Sequence, residues 1–501
     1  VIRPAHGIGW LVPAQPVIGQ RVTGWLVPAH GIGGRADLPL PGEVVLQAGG
    51  FVVLVSFLVV GLLWKRPRFS GPAGATGAGP VAGTGAGAVT GAGGAVGRPL
   101  PAAVQRAADS AGLRLALRGA ALVLLAYLVV MAFAGPADVN TNPAPRALYV
   151  LAWVGVVPAS LLLGPVWRVL NPLRALHAGI AAAARLPRAG IRDYPVRLGY
   201  WPTAAGLVAF VWLELVPNDR AEPVVVGTFL LGYAVLVTAG AVVFGEDWFE
   251  RADPFEVYST LVAALALYGR RDDGTLVWRN PLRGLAAVRT RPGLVAVLAV
   301  WWGSTVFDGL SGTTWWVNVT QRSGVDRVWL GTAALTVLIL VVAASYRLCT
   351  GRMAAALVST LVPIAVGYTI AHYVSLLLTE GPRGLGLLVG AQWSIAAPHP
   401  VFVAAIQVAA ILVGHVAGVV AAHDRTLALE MVSVGRQAAG PTEVRDSPTR
   451  NAGLADTKRG TRRREVRDSP GDNGRRLAEQ VPLVMIMIVY TMTGLYLLVI
   501  A

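Results

Sequence analysis

Ten stretches of this chain stay apolar long enough to cross the roughly 30 Å hydrocarbon layer of a bilayer as helices rising about 1.5 Å per residue. They lie at 44–64, 119–136, 147–167, 199–217, 224–244, 293–310, 329–346, 353–378, 401–422 and 481–500. No other feature narrows the fold as much. A backbone in lipid must satisfy its own hydrogen bonds, and a helix does so within one segment. The expected fold class is all-α, a polytopic transmembrane bundle of about ten spans. Composition agrees: 54% of the 501 residues are hydrophobic and 14% charged, against roughly 25% charged in a soluble domain. Another apolar run, 255–268, is only 14 residues long and reads as an interfacial or re-entrant helix. The run 293–310 is the weakest span, since it carries Ser304, Thr305 and Asp308.

The basic residues predict an orientation. The connections 65–112, 168–198, 245–291, 347–352 and 423–480 hold 32 Lys and Arg, whereas 1–43, 137–146, 218–223, 311–328 and 379–400 hold 8. Short loops rich in Lys and Arg stay in the cytoplasm. The first set is therefore expected inside a plasma membrane, and both termini outside. Residues 1–43 contain no apolar signal core, so an outside N-terminus implies a leader removed before Val1 or insertion driven by Lys65, Arg66 and Arg68. In a soluble protein the net charge of +15 would suggest nucleic acid. Here the basic loops are placed to meet anionic lipid headgroups, and no nucleic-acid partner is expected.

The chain divides into an extracytoplasmic arm (1–43), a membrane domain of nine spans (44–422), a basic cytoplasmic loop (423–480) and a final span (481–501). Within the membrane domain, 70–97 is a Gly/Ala-rich linker without a charge, which reads as flexible. The loop 423–480 repeats Glu-Val-Arg-Asp-Ser-Pro at 443–448 and 465–470, and its stretch 436–476 reads as disordered. The insert 245–291 looks structured: acidic residues precede Pro254 at a helix start, and Asp273-Gly274 marks a tight turn. Asn-Pro-Leu-Arg occurs at 171–174 and 280–283, which predicts a helix restart with its arginine at the lipid headgroups.

Four phrases carry a family resemblance. They are Ala29-His30-Gly31-Ile32-Gly33-Gly34-Arg35 with Asp37-Leu38-Pro39, Asp253-Pro254-Phe255-Glu256-Val257-Tyr258, Ala371-His372-Tyr373, and Gly414-His415-Val416-Ala417-Gly418 with Ala422-His423-Asp424-Arg425. From about residue 29 onward, outside the two low-complexity linkers, the chain resembles a group of actinobacterial polytopic membrane proteins labelled fenitrothion hydrolase. The resemblance implies hydrolysis of an aryl organophosphate ester, but no motif carries a catalytic role onto a particular residue here. The polar run before the ninth span, 379–400, also reads differently from that group, which leaves any site built on that loop in doubt.

Soluble-enzyme signatures are missing: the sequence has no phosphate-binding P-loop, no His-Glu-x-x-His and no Gly-x-Ser-x-Gly. One cysteine, Cys349, excludes a disulfide framework and a Cys-rich metal centre. Intramembrane ionisable residues are the better lead, because a charge in lipid is costly and faces a cavity or a partner. Glu214, Asp308 and His372 fall near the outer ends of three spans, with His399 and His30 in loops on that side. Each reads either as an interfacial residue satisfied by itself or as part of one His/carboxylate metal site suited to zinc or copper. Trp301, Trp302, Trp315 and Trp316 read as an aromatic belt or as a stacking surface for substrate. His415 and His423 lie about 80° and roughly 12 Å apart on one helix, so one metal cannot take both. Haem would need facing histidines that the spans do not supply, so none is expected. Gly414 and Gly418 predict a close helix contact with His415 hydrogen-bonding across it, while His423-Asp424-Arg425 reads as an interfacial anchor. Two functions stay open, a membrane-bound hydrolase and a transporter or permease, beside a structural subunit of a membrane complex. Pro158 and Pro363, inside spans, fit broken helices or ordinary kinks.

Overall fold

The computed structural model describes residues 42–70, 97–271, 273–393, 395–396, 398–439 and 470–500. The N-terminal arm with His30, nearly all of the linker 70–97 and the middle of the basic loop lie outside the described residues.

All ten apolar runs are helical, and the only named strands among the described residues form one short hairpin. Among the described residues six helical stretches are long and apolar enough to cross a membrane, and a bent pair makes a seventh if counted as one span. Trp201–Leu215 and Val481–Leu497 are shorter apolar helices. The protein is an all-α membrane protein. Its lipid-facing side is plain in Leu63, Val123, Leu236 and Leu348, each more than 70% exposed on a long apolar helix.

The run 293–310 is not weak for lack of order. Helix Leu294–Ser311 is the most buried of the candidate spans, at 67%, and packs against Trp201–Leu215, Arg327–Thr350, Val362–Leu388 and Pro470–Ile500. A central helix can carry hydroxyls because protein rather than lipid surrounds it. Ser304 and Thr305 bond back to the Trp301 carbonyl at 3.0 and 2.7 Å.

Pro158 marks a real break. The segment Ala147–Val154 is π-helical, Gly155 N–H reaches Val150 O at 2.9 Å, and the next helix, Val156–Leu163, leaves at 41°. Proline has no N–H to give to the carbonyl four residues earlier, which is Val154. Pro363 instead stands in the first turn of Val362–Leu388, where no such bond is lost.

Other expectations need correction. Of the interfacial and re-entrant readings of 255–268, the helix Pro254–Ala263 departs from the first: every residue but Thr260 is buried. His423 and Asp424 are not headgroup anchors either. The helix Pro400–Ala439 runs on past residue 422, and Asp424 is 1% exposed. Its carboxylate accepts from the backbone N–H groups of Arg68, Phe69 and Ser70, while His423 Nε2 meets Trp64 O at 3.0 Å. Three consecutive amides around a carboxylate form an anion nest. Together these bonds tie the end of the first helix, Gly42–Leu63, to the ninth predicted span.

Gly414 and Gly418 do make the predicted close contact. A Cβ on Gly414 would stand 2.6 Å from Pro363 O and 3.2 Å from Gly367 Cα. His415 does not bond across it: Nδ1 pairs with Ile411 O of its own helix at 2.9 Å.

Candidate functional site

Asp308, in the last turn of Leu294–Ser311, meets His372 from the middle of Val362–Leu388. Its Oδ2 lies 2.8 Å from His372 Nε2 and accepts from Tyr373 Oη, also at 2.8 Å. Neighbours in sequence, His372 and Tyr373 project about 100° apart, yet both reach one oxygen because Asp308 sits between them. The two rings are edge to face at 4.6 Å, and Tyr368, one turn back, stacks on His372 at 6.1 Å. Glu214, in the last turn of Trp201–Leu215, is close enough for its carboxylate and that of Asp308 to repel one another. Two helices remote in sequence therefore bring an acid, a histidine and a tyrosine into hydrogen-bond contact, with Glu214 of a third helix within electrostatic range of Asp308.

The wider set does not assemble. His399 is exposed in a different segment, and His30 lies outside the described residues. Among the described residues no group of three or more His, Cys, Asp or Glu side chains is arranged to hold a metal ion. The zinc or copper reading thus finds no donor set there. Nor do the four tryptophans form one platform. Trp301 is buried and donates to Thr369 Oγ1 at 2.9 Å; Trp302 packs on Tyr490 at 4.1 Å; Trp316 meets Phe307 edge-on; Trp315 is exposed.

A second polar junction was not foreseen. Thr203, in the first turn of Trp201–Leu215, bonds Arg251 O at 2.7 Å, so this junction lies at the end of that helix opposite Glu214. Asn171 and Asp253 cap two helices, Pro172–Ala183 and Pro254–Ala263, each with proline in its first turn. Asn171 Nδ2 donates to Asp253 Oδ2 at 2.8 Å and Glu256 Oε2 at 3.0 Å. Arg174 clasps Glu256 with two bonds, 2.9 and 2.6 Å, and both side chains are at most 5% exposed. Arg174 is therefore not at the headgroups, although Asn171 and Asn280 both restart helices as predicted. The two motifs Asn-Pro-Leu-Arg and Asp-Pro-Phe-Glu carry opposite charges at the same offset from the cap. That was the available signal.

Asp253 is pushed up to about 7, first by burial and then by the Glu256 carboxylate, against hydrogen bonds from Tyr233 and Asn171. A folded-state value above the ordinary one favours the protonated form. The stability it contributes is full below about pH 4 and is lost as pH rises through 7. Infrared spectra of the purified protein should show a protonated-carboxyl band near pH 5 that disappears by about pH 9 and is missing from Asp253→Asn. An identical band in that variant would assign the titration to another acid.

Comparison with family models, curated proteins and solved structures returns no match for this chain. Fold and site together define an all-α membrane protein with ionisable clusters at both ends of one helix.

Proposed function

We propose that the protein is a proton-coupled transporter of the plasma membrane, crossing it about ten times with both termini outside. The observation that carries this reading is the Asp308 carboxylate held by His372 and Tyr373 beside a second acid, Glu214, on apolar helices. Ionisable groups paired inside a membrane mark proton and ion pathways. Asp and His in direct hydrogen-bond contact can pass a proton with little motion. The break at Gly155–Pro158 supports the reading, since interrupted helices line transporter sites.

Ten crossings follow if the 62-residue stretch Arg327–Leu388 divides at Gly351, where φ is +52°. At about 1.5 Å per residue it would otherwise be roughly three times the hydrocarbon thickness. The bent pair and the two shorter apolar helices complete the number. Reporters fused after Arg192 and Asp273 should then read cytoplasm, and after Asn140 and Gly324 outside; one internal loop on the wrong side removes a span.

Proteoliposomes given a pH step and an interior pH dye should acidify faster than empty vesicles. Asp308→Asn should cut that rate at least tenfold. An unchanged rate in that variant would sink the proton reading. Organophosphate-ester hydrolysis, which the resemblance implies, would need a third donor beside Asp308 and His372 if it is metal-assisted. Turnover of fenitrothion by the purified protein, abolished by a chelator, would replace the transporter reading.

A further inference from the structure

The junction at the Thr203 end of Trp201–Leu215 holds two buried acids in different surroundings. Glu256 is clasped by Arg174, whereas no ion pair forms on Asp253 among the described residues. Asp253 is 0% exposed, and its donors are all neutral. They are Asn171 Nδ2 at 2.8 Å, Tyr233 Oη at 2.9 Å, and the Phe255 and Glu256 backbone N–H groups at 3.0 and 3.3 Å. Oδ1 serves the helix cap, while Oδ2 is spent on Asn171 of a neighbouring helix. A cap needs an oxygen, not an acid, since serine or asparagine serves as well. Capping alone does not explain a cation-free acid buried this deeply.

The same Asn171 nitrogen donates to Glu256 Oε2 at 3.0 Å. The two carboxylates therefore lie within about 6 Å, the range in which like charges oppose joint ionisation. The cations around them are committed elsewhere. Arg168, on Val166–Leu170, pairs with Glu250; Arg251, on Glu246–Arg251, pairs with Asp247; Arg118, on Ala111–Ala134, donates to Arg168 O. Burial first and Glu256 second hold Asp253 at about 7, so one proton can come and go there near neutral pH. Water is one side chain away: Arg174 Nη1 lies 3.9 Å from Glu246 Oε2, and the Glu246 side chain is 64% exposed. The helix that Asp253 caps is also tied to the broken one. Its Ser259 Oγ pairs with Ser160 Oγ at 2.8 Å and accepts from Trp167 N at 3.1 Å. Ser160 stands on Val156–Leu163, the half that leaves at 41°.

We propose that Asp253 is the cytoplasmic proton-binding site of the transport cycle, at the end of Trp201–Leu215 opposite Glu214. The inference rests on the proton-carrying reading and supplies its inner terminus. Loading forms one O–H bond on Oδ2, the oxygen with a single donor; unloading breaks it and returns H⁺ to cytoplasmic water. Arg174 and Glu256 keep their charges throughout, so the junction gains one positive charge on loading and loses it on unloading.

The test is proton flux in proteoliposomes, driven by a potassium diffusion potential with equal pH on both sides. Wild-type flux should fall at least tenfold from near pH 6 to near pH 8.5, with its midpoint at about 7. Tyr233→Phe removes a donor to the carboxylate and keeps the ring, so that midpoint should rise by about one pH unit. Asp253→Asn and Asp253→Ser, which keep a capping oxygen, should each pass less than about a tenth of wild-type flux near pH 6. Wild-type flux in either of these two variants overturns the site. An unmoved midpoint in Tyr233→Phe does so too, and leaves Asp253 a helix cap only. If Asp308→Asn stops flux but Asp253→Asn does not, the proton reading survives without this site. If the wild type carries no more flux than empty vesicles, the proton reading itself fails, and the site with it.

Discussion

Replacing Arg174 by alanine should destabilise the protein by about 3–5 kcal/mol, because it leaves the Glu256 carboxylate buried without its cation. Glu256 is 1% exposed, and the guanidinium supplies two parallel hydrogen bonds that alanine cannot replace. Lysine should restore only part of the loss, since a point charge cannot grip both carboxylate oxygens. The paired change Arg174→Met with Glu256→Leu should recover most of it, because it removes both charges and fills the space with apolar atoms. Arg383, whose pair with Glu380 is half exposed, is the contrast: Arg383→Ala should cost under about 1 kcal/mol. Thermal unfolding in detergent measures all four. Equal losses at Arg174 and Arg383 would mean water reaches the Glu256 junction.

Gly414→Leu should cost about 3 kcal/mol or more, the upper range for overpacking, since the first added atom meets backbone rather than a movable side chain. On the facing helix, a Cβ on Gly367 would stand 2.4 Å from Ala410 O. The helix Val362–Leu388 would have to retreat, and it also carries His372. Proton flux should therefore fall together with unfolding temperature. Gly232→Ala is the control. Nothing lies within 4 Å of a Cβ there, and helix propensity alone favours alanine by about 0.5–1 kcal/mol. A Gly414→Leu protein as stable as wild type would show that the two helices are not held in contact.

Much of the architecture was legible in the sequence. Apolar run length reports on lipid, and all ten runs are helices, with ends displaced where helices extend past the hydrocarbon, as at Ala111 and Ala439. Caps read locally, so Asn171, Asp253 and Asn280 stand where Asx-Pro pairs predict helix starts. That Asp308 and His372 lie at similar depth was also foreseeable in outline, because depth in a membrane can be reckoned along each span.

Azimuth cannot be reckoned that way. Which face of a span meets protein depends on every neighbour, so Tyr373 joined Asp308 unannounced, and His399 and Trp315 stayed outside the cluster. Arg174 looked like a headgroup anchor because a lone arginine after an apolar run usually is one. Only the tertiary structure supplied Glu256, 82 residues away, as its partner. The same holds for Asp424, whose three backbone donors come from 354–356 residues earlier. Segment hydrophobicity is a property of neighbours in sequence, and it determined that this chain enters a membrane as helices. The pairing of buried charges is a property of neighbours in space, and packing alone decided it.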